Sequence, residues 1–166
     1  YKCEDFEITI PKLLGAEVKK EISSATGSGK RKTWNEESFF EDAKNQVDKK
    51  SLGVLRKTYD FFLKDSDRIR WGTGVLRGSF NPIYTKIASK SILTVFSDGT
   101  MQLNYSWFSE NPHQLKYREK FREVFGKVFD LPTDDGSSKY PTYPISVWGS
   151  GDIDIPGMVT ELVKSD

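Results

Sequence analysis

Two aspartates near the C-terminus have a spacing that could hold a divalent cation. In the stretch GDIDIP, Asp152 and Asp154 are separated by one residue, so their carboxylates would point to the same side of an extended chain. Asp154 also precedes Pro156, an arrangement typical of a helix N-cap with proline in the first turn. The capping role is favoured, with Asp152 facing water, and a metal-dependent hydrolase using these C-terminal acids is kept as an alternative.

The stretch GSGK at residues 27–30 matches a phosphate-binding loop only in part. The motif G-x-x-x-x-G-K-[ST] requires a glycine where this chain has Ser24 and a Mg²⁺-binding hydroxyl where it has Arg31. No buried strand leads into the stretch. Its small and basic neighbours predict a mobile linker at about residues 23–32 instead.

Other catalytic arrangements lack the side chains that they need. His113 is the only histidine and has no acid beside it, and Cys3, the only cysteine, has no partner base. Nucleases of the restriction-endonuclease type place [D/E]-x-K on a strand, where this chain has Gln102 and Asn104. The sequence therefore predicts no catalytic residue, no metal ligand and no cofactor, and favours a non-enzymatic role without excluding an enzyme.

Positive charge is concentrated in one segment, although the net charge of the chain is only +1. Residues 68–97 contain no acid, whereas residues 130–166 contain seven. Arginine, exposed backbone amides and a nearby aromatic ring are the groups that hold phosphates or stack on bases. The predicted nucleic-acid-binding residues are Arg68, Arg70, Trp71, Arg77 and Lys86.

The same segment has a purely structural interpretation. In an extended RIRW, Arg68 and Arg70 would share one face, and Ile69 and Trp71 the other. The glycines that follow would let a strand bend. The arginines would then face solvent or pair with acids of the last helix.

Capping residues and apolar spacing predict the helices that position these groups. The first begins at Thr33 or Asn35, the second is capped by Ser51 and ends near KDSD, and the third begins at Asn111-Pro112. A short last helix runs from Pro156 to Lys164. The predicted inward-facing residues are Phe39, Phe40, Ala43 and Val47; Leu52, Leu55, Tyr59, Phe62 and Leu63; and Tyr117, Phe121, Val124, Phe125, Val128 and Phe129.

A hairpin at residues 91–107 is the strongest strand signal. Asp98-Gly99 between β-rich runs predicts a two-residue type I′ turn, which pairs Phe96 with Met101 and Thr94 with Leu103. That register pairs Ile92 with Tyr105 and buries Met101, Leu103 and Tyr105. Further strands are predicted at residues 4–10 and at ISVW, residues 145–148. The order of elements predicts one α+β domain, residues 1–166, in which helices pack on an antiparallel sheet.

Two stretches resemble a recurring domain of uncharacterised prokaryotic proteins: WGTGVLRGSF, residues 71–80, and SILTVFSDGTMQLNYSW, residues 91–107. That domain has a W-G-x-G…G-S-F segment, then a strand ending in S-D-G or T-D-G and another ending in L-N and an aromatic residue. It is similar in placement to C-terminal domains that accompany nuclease-like or DNA-modification modules. The resemblance covers about residues 34–108 and implies a context, with no catalytic residue to carry over.

These observations predict a non-catalytic binding module that contacts nucleic acid through its basic segment, residues 68–90. The alternatives are a metal-dependent hydrolase or nuclease and a protein-interaction domain with an aromatic-rich surface. A single cysteine and the lack of a long apolar run predict a cytoplasmic location without membrane contact. Because the chain opens on Tyr1, we expect a fragment of a longer protein whose other domains are partners.

Overall fold

A computed structural model describes residues 33–109, 111–132 and 140–164. The strand predicted at residues 4–10, the linker predicted at 23–32 and Cys3 lie outside these residues. The described residues form the helices α1 (Glu36–Gln46), α2 (Lys49–Asp65), α3 (Pro112–Phe125), α4 (Ile145–Trp148) and α5 (Ile155–Val163), and the strands β1 (Arg68–Trp71), β2 (Ser79–Ile83), β3 (Leu93–Phe96), β4 (Met101–Leu103) and β5 (Thr142–Tyr143).

The strands form one antiparallel sheet in the order β1-β2-β3-β4-β5. Each strand therefore pairs with the next strand along the chain. One face of this sheet contributes Phe80, Val95 and Leu103 to a core that also contains Phe39 of α1 and Phe121 of α3. The predicted α+β fold is confirmed.

Side-chain caps fix the starts of the first two helices. Asn35 caps α1: its Oδ1 accepts from the Ser38 amide at 2.8 Å, while the Ser38 hydroxyl accepts from the Asn35 amide at 3.1 Å. The cap of α2 is Asp48 instead of the predicted Ser51, whose hydroxyl donates to Asp48 at 2.9 Å from within the first turn. The prediction was wrong because Asp48 accepts the free amides of Lys50 and Ser51 and starts the helix earlier.

Helices α3 and α5 begin at the caps that the sequence predicted. Asn111 caps α3 and accepts from the Gln114 amide at 2.9 Å, and Pro112 occupies the first turn. Asp154 caps α5 and accepts from the Gly157 amide at 3.0 Å. Two residues predicted to face the core are exposed instead: Leu63 at 54% and Val128 at 45%. Leu63 lies on the solvent side of α2, and Val128 follows the end of α3.

The hairpin is present, but its register differs by one residue from the prediction. Thr94 pairs with Gln102 instead of Leu103, since the turn contains three residues, with the Phe96 amide donating to the Thr100 carbonyl at 2.8 Å. Gly99 ends this turn with a φ of 81°. A left-handed glycine after a type I turn is the usual three-residue alternative to the type I′ turn.

The shifted register changes which residues of β3 face the core. Leu93 and Val95 pair with Leu103 and Met101, and all four are buried on the helix-covered face. The predicted burial of Met101, Leu103 and Tyr105 is confirmed. The predicted partners of Met101 and Leu103 were wrong: the turn contains one residue more than expected, so the side chains of β3 that face the core are Leu93 and Val95 instead of Thr94 and Phe96.

The predicted strand at residues 145–148 is the helix α4, and the strand lies just before it at Thr142–Tyr143. Pro144 starts the helix: its carbonyl accepts from the Val147 amide at 2.9 Å and from the Trp148 amide at 3.3 Å. The β-branched residues Ile145 and Val147 favour a strand, but β-propensity depends on tertiary context, and here these residues are helical. Trp148 is buried, and its indole N–H donates to the Gly99 carbonyl at 2.9 Å.

Candidate nucleic-acid interface

Strand β1 places two predicted arginines side by side at one end of the sheet. Arg68 and Arg70 are exposed on one face of the strand, while Ile69 and Trp71 are half-buried on the other. Alternate residues of a strand lie about 7 Å apart on the same face, so Arg68 and Arg70 are neighbours on that face. Neither forms an ion pair with a carboxylate of the described residues. Both side chains are exposed.

An acid lies next to this pair. Asp67 directly precedes Arg68, and its carboxylate accepts from the amide and the hydroxyl of Thr85, both at 2.7 Å. These hydrogen bonds hold the pKa of Asp67 below its ordinary value, so the group is ionised at neutral pH.

Trp71 packs against rings of the first two helices and of β2. Its ring centroid lies 5.8 Å from that of Phe39, 5.7 Å from that of Tyr59 and 6.2 Å from that of Phe80. Contacts of this kind are typical of a core aromatic side chain. They support a packing role for Trp71, and its predicted role in base stacking stays a prediction.

Arg77 is engaged by the neighbouring hairpin. It forms an ion pair with Asp98 in the β3–β4 turn, and its guanidinium carbon lies 3.7 Å from the ring centroid of Phe96. The structural interpretation of the segment anticipated a partner among the C-terminal acids, and the observed partner lies in the turn. Arg77 is less available to a ligand than Arg68 or Arg70.

Lys86 lies in the connection from β2 to β3. It is exposed, and its Nζ lies 3.4 Å from the carbonyl oxygen of Val163 at the end of α5. The carbonyl oxygen of Lys86 lies 2.8 Å from Nε2 of His113. Since Arg68 pairs with Ile83, Lys86 lies at the Arg68 end of β1 and Arg77 at the opposite end.

The second face of the sheet carries a row of polar side chains that the sequence analysis missed. One residue from each strand lies in this row, in register: Arg70, Asn81, Thr94, Gln102 and Thr142. The side-chain Nδ2 of Asn81 donates to the Arg70 carbonyl at 3.0 Å, and the Thr94 hydroxyl donates to Oδ1 of Asn81 at 2.7 Å. Alternating polar residues in β2 and β4 were a signal for this row, but the assumed hairpin register hid it.

Asn104 extends the row beyond the end of β4. Its amide donates to the Thr94 hydroxyl at 2.9 Å, and its Oδ1 accepts from the Gln102 amide at 2.8 Å. Asn104 is buried, and these bonds satisfy it internally. The two residues at the nuclease-motif positions therefore hydrogen-bond to each other, and neither offers a carboxylate for a metal.

The C-terminal aspartates are separated in role. Asp154 caps α5, whereas Asp152 is exposed in the preceding turn. Within the described part of the chain, no three His, Cys, Asp or Glu side chains are grouped so that they could hold a metal ion. Asp134, Asp135 and Asp166 lie outside the described residues.

The loop between β1 and β2, residues 72–78, is anchored at its base. The indole N–H of Trp34 donates to the Gly74 carbonyl at 2.6 Å. On the other side, the Ser97 hydroxyl accepts from the Gly78 amide at 2.8 Å, and the Ser97 amide donates to the Gly78 carbonyl at 3.0 Å. Gly78 is required here, because a Cβ would lie 2.8 Å from the ring of Trp34.

Comparison of the chain with protein-family models, curated proteins and solved structures gives no match. Across residues 33–109, 111–132 and 140–164, no helix combines the length and the apolar character needed to cross a bilayer.

Proposed function

We propose that this chain is a non-catalytic module that binds nucleic acid along the β1 edge of its sheet. The observation that carries the proposal is the exposure of Arg68 and Arg70 on one face of β1 without an ion-pair partner among the described residues. Two guanidinium groups on the same face of one strand can each contact a phosphate. Phosphate contacts of this type predict weak binding with little sequence preference.

The remaining candidates have different parts in this proposal. Lys86 would contribute a further phosphate contact at the Arg68 end, and Arg77 would mainly hold the β1–β2 loop in place through Asp98. The acid-free run of residues 68–97 supports an anionic ligand in general. The single cysteine and the prokaryotic resemblance support a cytoplasmic module within a longer protein.

The proposal is tested by fluorescence anisotropy with a labelled DNA duplex, at low and moderate salt. In the double variant Arg68→Ala with Arg70→Ala, we expect weaker binding and a salt slope reduced by up to about two units, one for each lost phosphate contact. The matched control is Lys50→Ala with Lys57→Ala, which removes the same charge from exposed positions of α2. The control should retain the wild-type slope.

Two results would contradict the proposal. One is the absence of wild-type binding at low salt. The other is an equal loss in both double variants, because binding would then follow the net charge of the domain and would not depend on β1.

A further inference from the structure

Two aliphatic side chains at the tip of the β1–β2 loop face solvent. Val75 is 65% exposed and Leu76 is 91% exposed, whereas most other Leu and Val residues of the described chain contribute to its core. Single exposed apolar residues are common on protein surfaces. Here two adjacent ones lie in the loop that joins the paired strands β1 and β2, and both are largely exposed.

The loop that carries these side chains is held from both sides. Trp34 binds the carbonyl of Gly74 directly before the tip, and Ser97 binds both backbone groups of Gly78 directly after it. The ion pair of Arg77 with Asp98 adds a side-chain anchor. A ligand that contacts the tip would therefore lose little affinity to ordering of the loop.

The charged side chains at the loop are partly paired: Arg77 binds Asp98, and Ser97 at the base of the loop donates to Asp42. Arg70, directly before the loop on the exposed face of β1, is the basic side chain next to it that can contact a phosphate of the proposed nucleic-acid ligand. Duplex DNA presents anionic strands on both sides of its minor groove, with stacked bases at the floor. Proteins that bind there frequently insert an aliphatic wedge between base steps, with basic residues beside it.

We propose that Val75 and Leu76 form an apolar wedge that enters the minor groove of duplex DNA and bends it. This inference rests on the proposed nucleic-acid function and adds the kind of nucleic acid and the mode of contact. Arg68 and Arg70 would contact phosphates while the tip unstacks one base step. Flexible pyrimidine–purine steps are the easiest to unstack, so a duplex with a central TA step should bind better than an A-tract.

The small apolar area of two side chains favours a groove over a protein surface. A stable protein interface buries roughly 800 Å² on each partner and has an apolar centre, which two protruding side chains do not provide. A-form RNA has a wide and shallow minor groove, which offers no narrow slot for a wedge. Anionic lipid is the remaining competitor and is included in the test.

The test uses duplexes labelled at both ends, so that anisotropy reports binding and energy transfer reports bending. The variant is Val75→Ser with Leu76→Ser, and the control is Thr73→Ala, an exposed position of the same loop. We expect the double variant to bind the TA duplex about tenfold more weakly and to bend it less, because its apolar contacts are lost. Its salt slope should equal that of wild type, since no phosphate contact is removed.

Three other outcomes would contradict the wedge or the nucleic-acid proposal on which it rests. If the double variant binds and bends DNA like wild type, the wedge is wrong and the phosphate-binding proposal stands. If wild type binds no duplex at low salt, both proposals fail. If wild type binds vesicles of anionic phospholipid in preference to DNA and the double variant does not, the tip contacts lipid and the wedge is wrong.

Discussion

The guanidinium of Arg77 lies over the ring of Phe96, 3.7 Å from its centroid, while it pairs with Asp98 two residues further on. This contact joins the loop between β1 and β2 to the turn between β3 and β4. A cation that contacts both an aromatic ring and a carboxylate contributes more to the stability of the fold than a solvated surface ion pair does. The contact therefore links the proposed binding loop to the stability of the sheet.

Replacing Arg77 by alanine should lower the free energy of unfolding by about 1–2 kcal/mol. Arg77→Lys should recover only part of this loss, because an ammonium group lacks the planar contact with the ring. Urea denaturation followed by circular dichroism measures both variants. Equal stability of wild type and Arg77→Ala would mean that the contact contributes nothing.

The charge of Asp98 should make stability depend on pH in the acid range. Partial burial raises the pKa of Asp98, but hydrogen bonds from the Thr100 amide and from Arg77 outweigh it and hold the pKa below the ordinary value of 3.8. The unfolded chain then binds the proton more readily, so this contribution is present above pH 3.8 and is lost as pH falls below it.

The measurement for Asp98 is a series of urea melts from neutral pH downwards. The stability difference between wild type and Asp98→Asn should be constant near neutral pH and should shrink below about pH 4. A difference that grows towards acid pH would have the wrong sign and would contradict the assignment of a lowered pKa.

Trp71→Ala should cost about 2–4 kcal/mol of stability, somewhat less than a fully buried aromatic ring, because the side chain is half-buried. Trp71→Phe should retain most of the ring contacts and lose less. DNA binding by the folded fraction should remain that of wild type, as measured by anisotropy at a temperature well below the melting transition. Weaker binding at unchanged stability would support base stacking instead of packing.

Thr94→Val should cost about 1–3 kcal/mol although it conserves volume, because Asn81 loses its donor and Asn104 loses its acceptor. Thr94→Ser retains the hydroxyl and provides the matched control. Thermal unfolding should place the serine variant close to wild type and well above the valine variant. A valine variant as stable as wild type would mean that the polar row is dispensable.

Local signals in the sequence were sufficient for much of the fold. The caps Asn111 and Asp154 were identified, and Asn35 was one of two candidates beside Thr33, because each has a short polar side chain placed directly before a helix. The hairpin at Asp98-Gly99 was located, but its register depended on whether the turn held two or three residues. Both choices satisfy the local sequence, and the packing of Leu93 and Val95 against the helices separates them.

For the candidate site, the sequence predicted the basic segment and the shared face of Arg68 and Arg70, but not the contacts between distant residues. The alternation of RIRW placed Arg68 and Arg70 on one face, since period two follows from strand geometry. The pairing of Arg77 with Asp98 joins residues that are far apart in the sequence, and no local pattern encodes it. The same holds for Trp34, whose bond to Gly74 fixes the loop.

The order of the strands has a consequence for how the domain assembles. The first four strands pair with near neighbours along the chain, so each new hairpin closes a short loop. The connection from β4 to β5 contains α3 and is much longer, so the entropy lost on closing it is larger. We therefore expect β5 to dock last and to detach first. A chain in which β5 has detached, for example after proteolysis, would present the bare edge of β4 as a template on which other copies could add strands.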